Sequence, residues 1–270
     1  MLIRFLFVFL LCPFYRVAHA VQGGNGSNQI SVCDSGARKN ARLRLESVNM
    51  RTVVFDLDGT LADTSGDLIA AANACFRTMG AGDLLDPVRD AATAFRGGRA
   101  MLALGMERLG RADDQAEVDR NYPLRLEAYE GAIDTHTALY PGAIEAVEAL
   151  RQAGYRVAIC TNKPEGLARL LMTRLGVLDA FGALIGADTL TVRKPDPEPL
   201  REAVRRAGGD PARSLLVGDT VTDRETSRAA GVPSILVTFG PDGQGVAALE
   251  PEAMIANYGE LSDVVRGLIG

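Results

Sequence analysis

Downstream of Met50 the chain alternates short unbroken apolar runs with segments of helical period. Val53, Val54 and Phe55 stand in succession after Arg51 and Thr52, which predicts a strand buried on both faces that ends in a polar loop at Asp56. From Thr64 to about Ile133 the pattern turns helical. Leu68, Ile69, Ala72, Phe76 and Met79 share one helical face, Gly80 and Gly82 punctuate, and Pro87 suits the first turn of a further helix. Helical stretches follow around Met101–Leu109 and Val118–Ala132, where Pro123 predicts a kink or a late helix start. With no strand-like run in this block, it is expected to be an all-helical insertion.

At Tyr140-Pro141-Gly142 the text changes to alternating units. Helices over 143–153, 165–175, 197–207 and 223–230 lead in turn to strands over 155–160, 183–186, 214–217 and 234–237. Helices alternating with short apolar strands predict an α/β fold with a parallel sheet covered on both faces. In such sheets ligands sit beyond the carboxyl ends of the strands.

Composition changes the picture mainly at the amino end. Residues 1–49 carry a balance of +4 and residues 50–270 one of −9, within a net charge of −5 for 270 residues. Met1–Phe14 is an apolar run, Ala18-His19-Ala20 resembles a cleavage site, and Gly23–Asn28 is rich in Gly and Asn. Residues 1–49 are therefore read as a leader with a linker, or as an over-extended start ahead of Met50, and are expected to be disordered. The second reading places the protein in the cytoplasm and the first exports it. The run is too short, and too interrupted by Pro13, to predict a stable membrane association. The acidic balance excludes a general nucleic-acid binder. Cleavage at Ala20 would leave Cys33, Cys75 and Cys160, an odd number with no tidy disulfide framework. Cys160 reads as a small core residue, and the sequon at Asn25 as chance.

Four strand ends carry the candidate chemistry. Asp56-Leu57-Asp58-Gly59-Thr60 follows the first strand, and its two carboxylates at i and i+2 are expected to face one space. A hard cation such as Mg²⁺ would let both stay ionised, and a nucleophilic carboxylate beside a proton-shuttling one suits covalent phosphoryl transfer. A plain Asp/Gly turn has the same letters. Thr161-Asn162 after the second strand offers a hydroxyl and an amide for an anionic oxygen, or a helix cap. Lys194, followed by Pro195 and Pro197, offers an ammonium for phosphate, or a solvated loop cation. Asp219 and Asp223, after the fourth, could complete and support a metal site, or cap a helix. Together they form the set needed for metal-assisted phosphoryl transfer.

Asp56-Leu57-Asp58-Gly59-Thr60, Thr161, Lys194-Pro195 and Asp219 to Asp223 resemble the four signature motifs of the haloacid dehalogenase superfamily, over the whole of residues 50–270. The resemblance implies a Rossmann-like doubly wound core, residues 50–63 and 138–270, with strand order 5-4-1-2-3. A helical cap, residues 64–137, is inserted after the first strand. It implies Asp56 as nucleophile, Asp58 as acid/base, and Thr161 and Lys194 as phosphoryl ligands. Mg²⁺ would be held by Asp56, the Asp58 carbonyl and Asp219. The acid at position 58 implies action on phosphate esters. Cys160 to Glu165, Gly186 to Leu190, Arg193 to Pro197 and Tyr140-Pro141-Gly142 resemble the phosphoglycolate phosphatase branch. Gly59 and Asn162 are counted with the substrate site, and by the same resemblance the cap segment Arg96-Gly97-Gly98-Arg99 faces it. Arg96 or Arg99 could hold a substrate carboxylate, or simply be solvated at a helix start. Arg224-Glu225 departs from the pattern and is expected to alter only a helix surface, while His136 is expected to be structural.

The expected partner is a small phosphorylated metabolite, and the expected assembly a monomer or homodimer. A hexose-phosphate mutase would need a cap that shields an aspartyl-phosphate from water, and no signature of one is visible. A non-catalytic binding protein would be expected to have lost Asp56 or Asp219.

Overall fold

A computed structural model describes residues 50–270. Residues 1–49, with the candidate leader, the sequon and Cys33, lie outside the described residues. The first strand, β1 (Thr52–Phe55), is wholly buried, as its unbroken apolar run requires. Its alternate side chains feed two cores: Val53 and Phe55 the larger one, Val54 the smaller. A two-residue strand, β2 (Ala62–Asp63), leads into the helical block α1 (Ser65–Thr78), α2 (Ala91–Ala94), α3 (Gly98–Arg108) and α4 (Gln115–Gly131). Pro123 lies inside α4 and does not delay its start; the helix begins at an Asp114 cap whose side chain accepts from Glu117 N. Strand β3 (Ala138–Leu139) returns antiparallel to β2, a two-stranded hinge too short for any period to announce. The hinge is fixed by buried Asp67, which accepts hydrogen bonds from the main-chain N–H groups of His136 and Thr137 and from the Thr137 hydroxyl. His136 packs there against Gly66, a structural place. Within the cap, α1 and α3 approach closely because Gly105 leaves room for the Phe76 ring, 2.0 Å from where a Cβ would stand.

The remainder alternates as α5 (Ala143–Gln152), β4 (Arg156–Cys160), α6 (Glu165–Arg174), β5 (Ala183–Ile185), α7 (Glu198–Arg206), β6 (Ser214–Gly218), α8 (Val221–Ala230), β7 (Ser234–Val237), β8 (Ala253–Ile255) and α9 (Leu261–Ile269). The sheet runs β5-β4-β1-β6-β7-β8 with all pairs parallel. Five strands fall in the expected order, and β8 adds an edge strand that the sequence reading lacked. Three residues with Met254 exposed give no strand pattern; what holds β8 is its pairing with β7 and the carboxylate of Glu252. That carboxylate accepts from Ser234 N and pairs with Arg224 at 2.7 Å. Arg224 is therefore no surface residue, contrary to expectation. It is buried and ties α8 to the loop before β8 through Glu252 and the Glu250 carbonyl.

Cys160 is fully buried in the smaller core, and burial pushes its thiol up to about 12. No helix among the described residues is long and apolar enough to cross a membrane.

Candidate active site

Beyond the carboxyl ends of β1, β4 and β6, beneath the cap, lies a cavity of about 710 Å³. Asp56 sits at its floor, its N–H donating to the Val217 carbonyl so that β1 continues one residue past its last bridge. The chain then turns on Gly59, whose φ is +82° and whose missing Cβ would stand 2.2 Å from Asp219 Oδ2. Both the backbone angle and the close approach demand glycine. Thr60 follows with its hydroxyl donating to Asp219 Oδ1 at 2.9 Å, and the Tyr258 hydroxyl anchors the Thr60 carbonyl at 2.7 Å.

Asp56, Asp219 and Asp223, all buried, each present a carboxylate oxygen within 4.8 Å of the others. Lys194 Nζ stands between two of them, 2.9 Å from Asp56 Oδ1 and 2.7 Å from Asp223 Oδ1. The Asp223 contact is an aligned hydrogen bond, whereas Asp56 Oδ1 and Asp219 Oδ2 are buried with no aligned donor. Asp223 is fully engaged, since its Oδ2 accepts from the Thr220 hydroxyl and N–H in a capping box and from Asp219 N. Burial raises the Asp56 carboxyl to about 6, with Asp223 and Asp58 pushing the same way and Lys194 opposing. Burial, then Asp223 and Asp56, raise Asp219 well above the usual range. For Lys194 burial pulls downward, but Asp223 and Asp56 outweigh it and hold the ammonium charged. Two orphaned oxygens, on the two carboxyls that burial raises, fit a hard divalent cation.

Asp58 lines the same cavity but stands outside that cluster. Its Oδ1 accepts from Lys163 Nζ and from the Thr64 hydroxyl, both at 2.7 Å. The expected pair of carboxylates held by one cation is thus corrected. The chain bends at Leu57, the Lys163 ammonium after β4 neutralises Asp58, and the Asp58 carboxylate lies outside the acidic cluster. Thr161 is buried at the cavity wall, accepting from Lys163 N and keeping its own proton for a ligand. Asn162 is exposed; its amide donates to the Lys194 carbonyl at 3.0 Å and so fixes the lysine loop from across the cavity.

The cap wall is cationic. Arg96 and Arg99 line the cavity as exposed side chains, Arg99 pairing with Asp119 and lying over the Tyr122 ring at 4.7 Å. Gly97, at φ +98°, starts α3. Gly98 makes room for another residue: a Cβ there would meet the Arg125 guanidinium at 2.7 Å. Arg125, Tyr129 and Lys163 were not singled out from the sequence. Asn121, Arg125 and Tyr129 recur every fourth residue of α4 and are all buried. A polar stripe of that spacing is the signal the sequence offered. Lys163 was readable only as a letter in a motif, yet its ammonium bridges Asp58 and the Tyr129 ring, 4.5 Å from the centroid.

A parallel sheet with a helical cap, and acid, hydroxyl and lysine at its strand ends, defines a phosphoryl-transfer enzyme of the α/β class. The model of the haloacid dehalogenase-like hydrolases matches residues 50–231, and the chain belongs to that family. A phosphoglycolate phosphatase from Mesorhizobium japonicum is 41% identical over 78% of this chain and 92% of its own length. One from Rhodospirillum rubrum is 38% identical over 79% and 90%. Among solved structures, a protein from Haemophilus somnus described as a predicted phosphoglycolate phosphatase superposes with a TM-score of 0.71. It is 22% identical and covers 80% of this chain and 98% of itself. A superfamily hydrolase from Geobacter sulfurreducens gives 0.61 at 22%, covering 81% and 97%. These two structures share the fold. The chain is a phosphoric monoester hydrolase.

Proposed function

We propose that the chain hydrolyses small phosphoesters bearing a carboxylate, 2-phosphoglycolate first among them, through an aspartyl-phosphate on Asp56. The observation that carries this reading is the Asp56 carboxylate at the cavity floor, with Lys194 beside it and an oxygen that accepts no hydrogen bond. The relatives' names and the cationic cap wall support the substrate class.

Asp56 attacks phosphorus, and the bond from phosphorus to the ester oxygen breaks. Asp58, protonated for this step, gives its proton to the departing alkoxide. Lys163 and Thr64 hold its Oδ1 and leave Oδ2 for that transfer. Thr161 donates its hydroxyl proton to a phosphoryl oxygen, and the Lys194 ammonium balances charge on the transferring group. Asp58, now a carboxylate, takes a proton from water as the water oxygen attacks phosphorus. Inorganic phosphate leaves and Asp56 is restored. Asp56, Asp219 and the Asp58 main-chain carbonyl would hold Mg²⁺, with Asp223 orienting the site through Lys194 and Thr220. When bound, the ion supplies positive charge to the buried carboxylates and the phosphoryl oxygens.

The test is phosphate release from a panel of small phosphoesters, with Mg²⁺ and with EDTA, by wild type and Asp56→Asn. Mg²⁺-dependent release led by 2-phosphoglycolate, abolished in a folded Asp56→Asn protein, is expected. Substantial turnover by Asp56→Asn would overturn the covalent route.

A further inference from the structure

Arg125 takes no part in the chemistry above. It projects from α4 into the cavity wall, yet the residue is only 4% exposed and its Nε is buried without a hydrogen-bond partner. No carboxylate pairs with it among the described residues, whereas every other buried cation of the cavity is matched: Lys163 by Asp58, and Lys194 by Asp56 and Asp223. Arg96, Arg99 and Arg193 also line the cavity, but in solvent, where a cation needs no partner.

The placement of Arg125 is built. Gly98 at the start of α3 supplies the space for the guanidinium, which would lie 2.7 Å from any Cβ there. The Tyr129 ring, with its centroid 5.6 Å away, backs it one turn further along α4. Burial pulls its pKa below the usual guanidinium range, while Tyr129, Tyr122 and Asp58 act upward. The same Tyr129 ring lies 4.5 Å from the Lys163 ammonium that pairs with Asp58, which sets the guanidinium on the acid/base side of the cavity. A buried guanidinium without a counterion is unfavourable, and an anion of matching geometry removes the penalty.

We propose that Arg125 is a specificity-determining residue of this site, receiving the substrate's carboxylate on its fork of N–H donors while the phosphoryl group lies at Asp56. The inference rests on the phosphatase reading above and deepens it. A small ester with an anion at each end would span cap and core, its carboxylate on α4 and its phosphate on the β1 loop. Arginine suits this because its planar fork matches a carboxylate bidentately. The site discriminates against uncharged esters of the same size because they gain nothing from the buried cation, which only a carboxylate pairs. Arg96 and Arg99 then contribute to the general positive field at the mouth.

The test compares 2-phosphoglycolate with ethyl phosphate, which carries a methyl group where the carboxylate would be. Arg125→Met is expected to lower kcat/KM for 2-phosphoglycolate by about 100- to 1,000-fold, the range for removing one partner of a desolvated charge pair. It should change that for ethyl phosphate less than about threefold. Arg125→Lys should recover only part of the loss, because a single ammonium replaces a fork. The melting temperature of metal-free Arg125→Met should equal or exceed that of wild type, because an unpaired buried charge has been removed. Equal losses on both esters, unchanged selectivity in Arg125→Met, or an active wild type with no preference for the carboxylate would each overturn the inference. A wild type inactive on both esters would overturn the phosphatase reading instead. Calorimetric binding of 2-phosphoglycolate to Asp56→Asn, with and without Arg125→Met, then decides the inference: weakening of about tenfold or more supports it, and equal affinity overturns it.

Discussion

Replacing Lys194 by Met tests how the acidic floor of the site is held together. The ammonium lies 2.9 Å from Asp56 and 2.7 Å from Asp223, and all three side chains are nearly excluded from water. Met keeps most of the volume and removes the charge, so two buried carboxylates lose their counterion. Breaking a buried pair by removing one partner costs about 3–5 kcal/mol. For a folded unit of this size, each 1 kcal/mol shifts the melting temperature by about 2–4 °C, so the variant should melt about 6–20 °C lower at pH 7 in EDTA. The loss should shrink at pH 5. Asp56 already has its carboxyl raised to about 6, and without Lys194 it rises further, so at pH 5 it takes up a proton and sheds its charge. The assay is thermal unfolding of wild type and Lys194→Met in EDTA at both pH values. A loss of the same size at pH 5 and pH 7 would refute the electrostatic account and leave only lost packing.

Further expectations concern the metal and the turn. In the metal-free wild type, the Asp56 carboxyl is raised from 3.8 to about 6, so the folded state binds more protons than the unfolded between those values. Stability from this group is present below pH 3.8 and falls by about 3 kcal/mol as pH rises past 6, by linkage. Mg²⁺ should therefore raise the melting temperature more at pH 7 than at pH 5, and the reverse order would contradict a cation at Asp56. Gly59→Ala should weaken Mg²⁺ binding by at least about tenfold, because the methyl group would meet Asp219 Oδ2 and the φ of +82° is strained for alanine. Titration calorimetry checks it, and wild-type affinity would show that the loop yields without moving Asp219. Lys163→Met should reduce kcat by about tenfold or more while leaving Mg²⁺ affinity unchanged, because it frees Asp58 and touches no member of the acidic cluster. Steady-state kinetics with calorimetry separates the two effects.

What the sequence made legible was local. Asp56, Thr161 and Asp219 each stand one residue beyond a strand, so a strand's end locates the residue without knowledge of the rest of the chain, and Lys194 was legible from its Lys-Pro string in the longer loop after β5. The helical insertion was legible because helical and strand periods differ. Arg125 is another matter. On an isolated helix, Asn121, Arg125 and Tyr129 form an ordinary solvated stripe, and only the docking of α4 over the cavity buries them. The partner of Asp58 was missed for a related reason: it lines the cavity with Asp56, but the chain bends at Leu57, and an ammonium from a different strand end, Lys163, takes its carboxylate. Arg224 read as a surface change because its partners, Glu252 and the Glu250 carbonyl, lie in a loop whose position depends on β8.

The measurement that bears most directly on the central claim is chemical trapping of the phosphoenzyme. Wild-type protein with Mg²⁺ and 2-phosphoglycolate would be quenched during turnover, reduced with borohydride and digested. An acyl phosphate on aspartate reduces to homoserine, and mass spectrometry would locate the change. The account predicts homoserine at position 56 and at no other aspartate. Modification at another carboxylate, or active turnover that leaves every aspartate intact while the quench captures a control acyl phosphate, would contradict it.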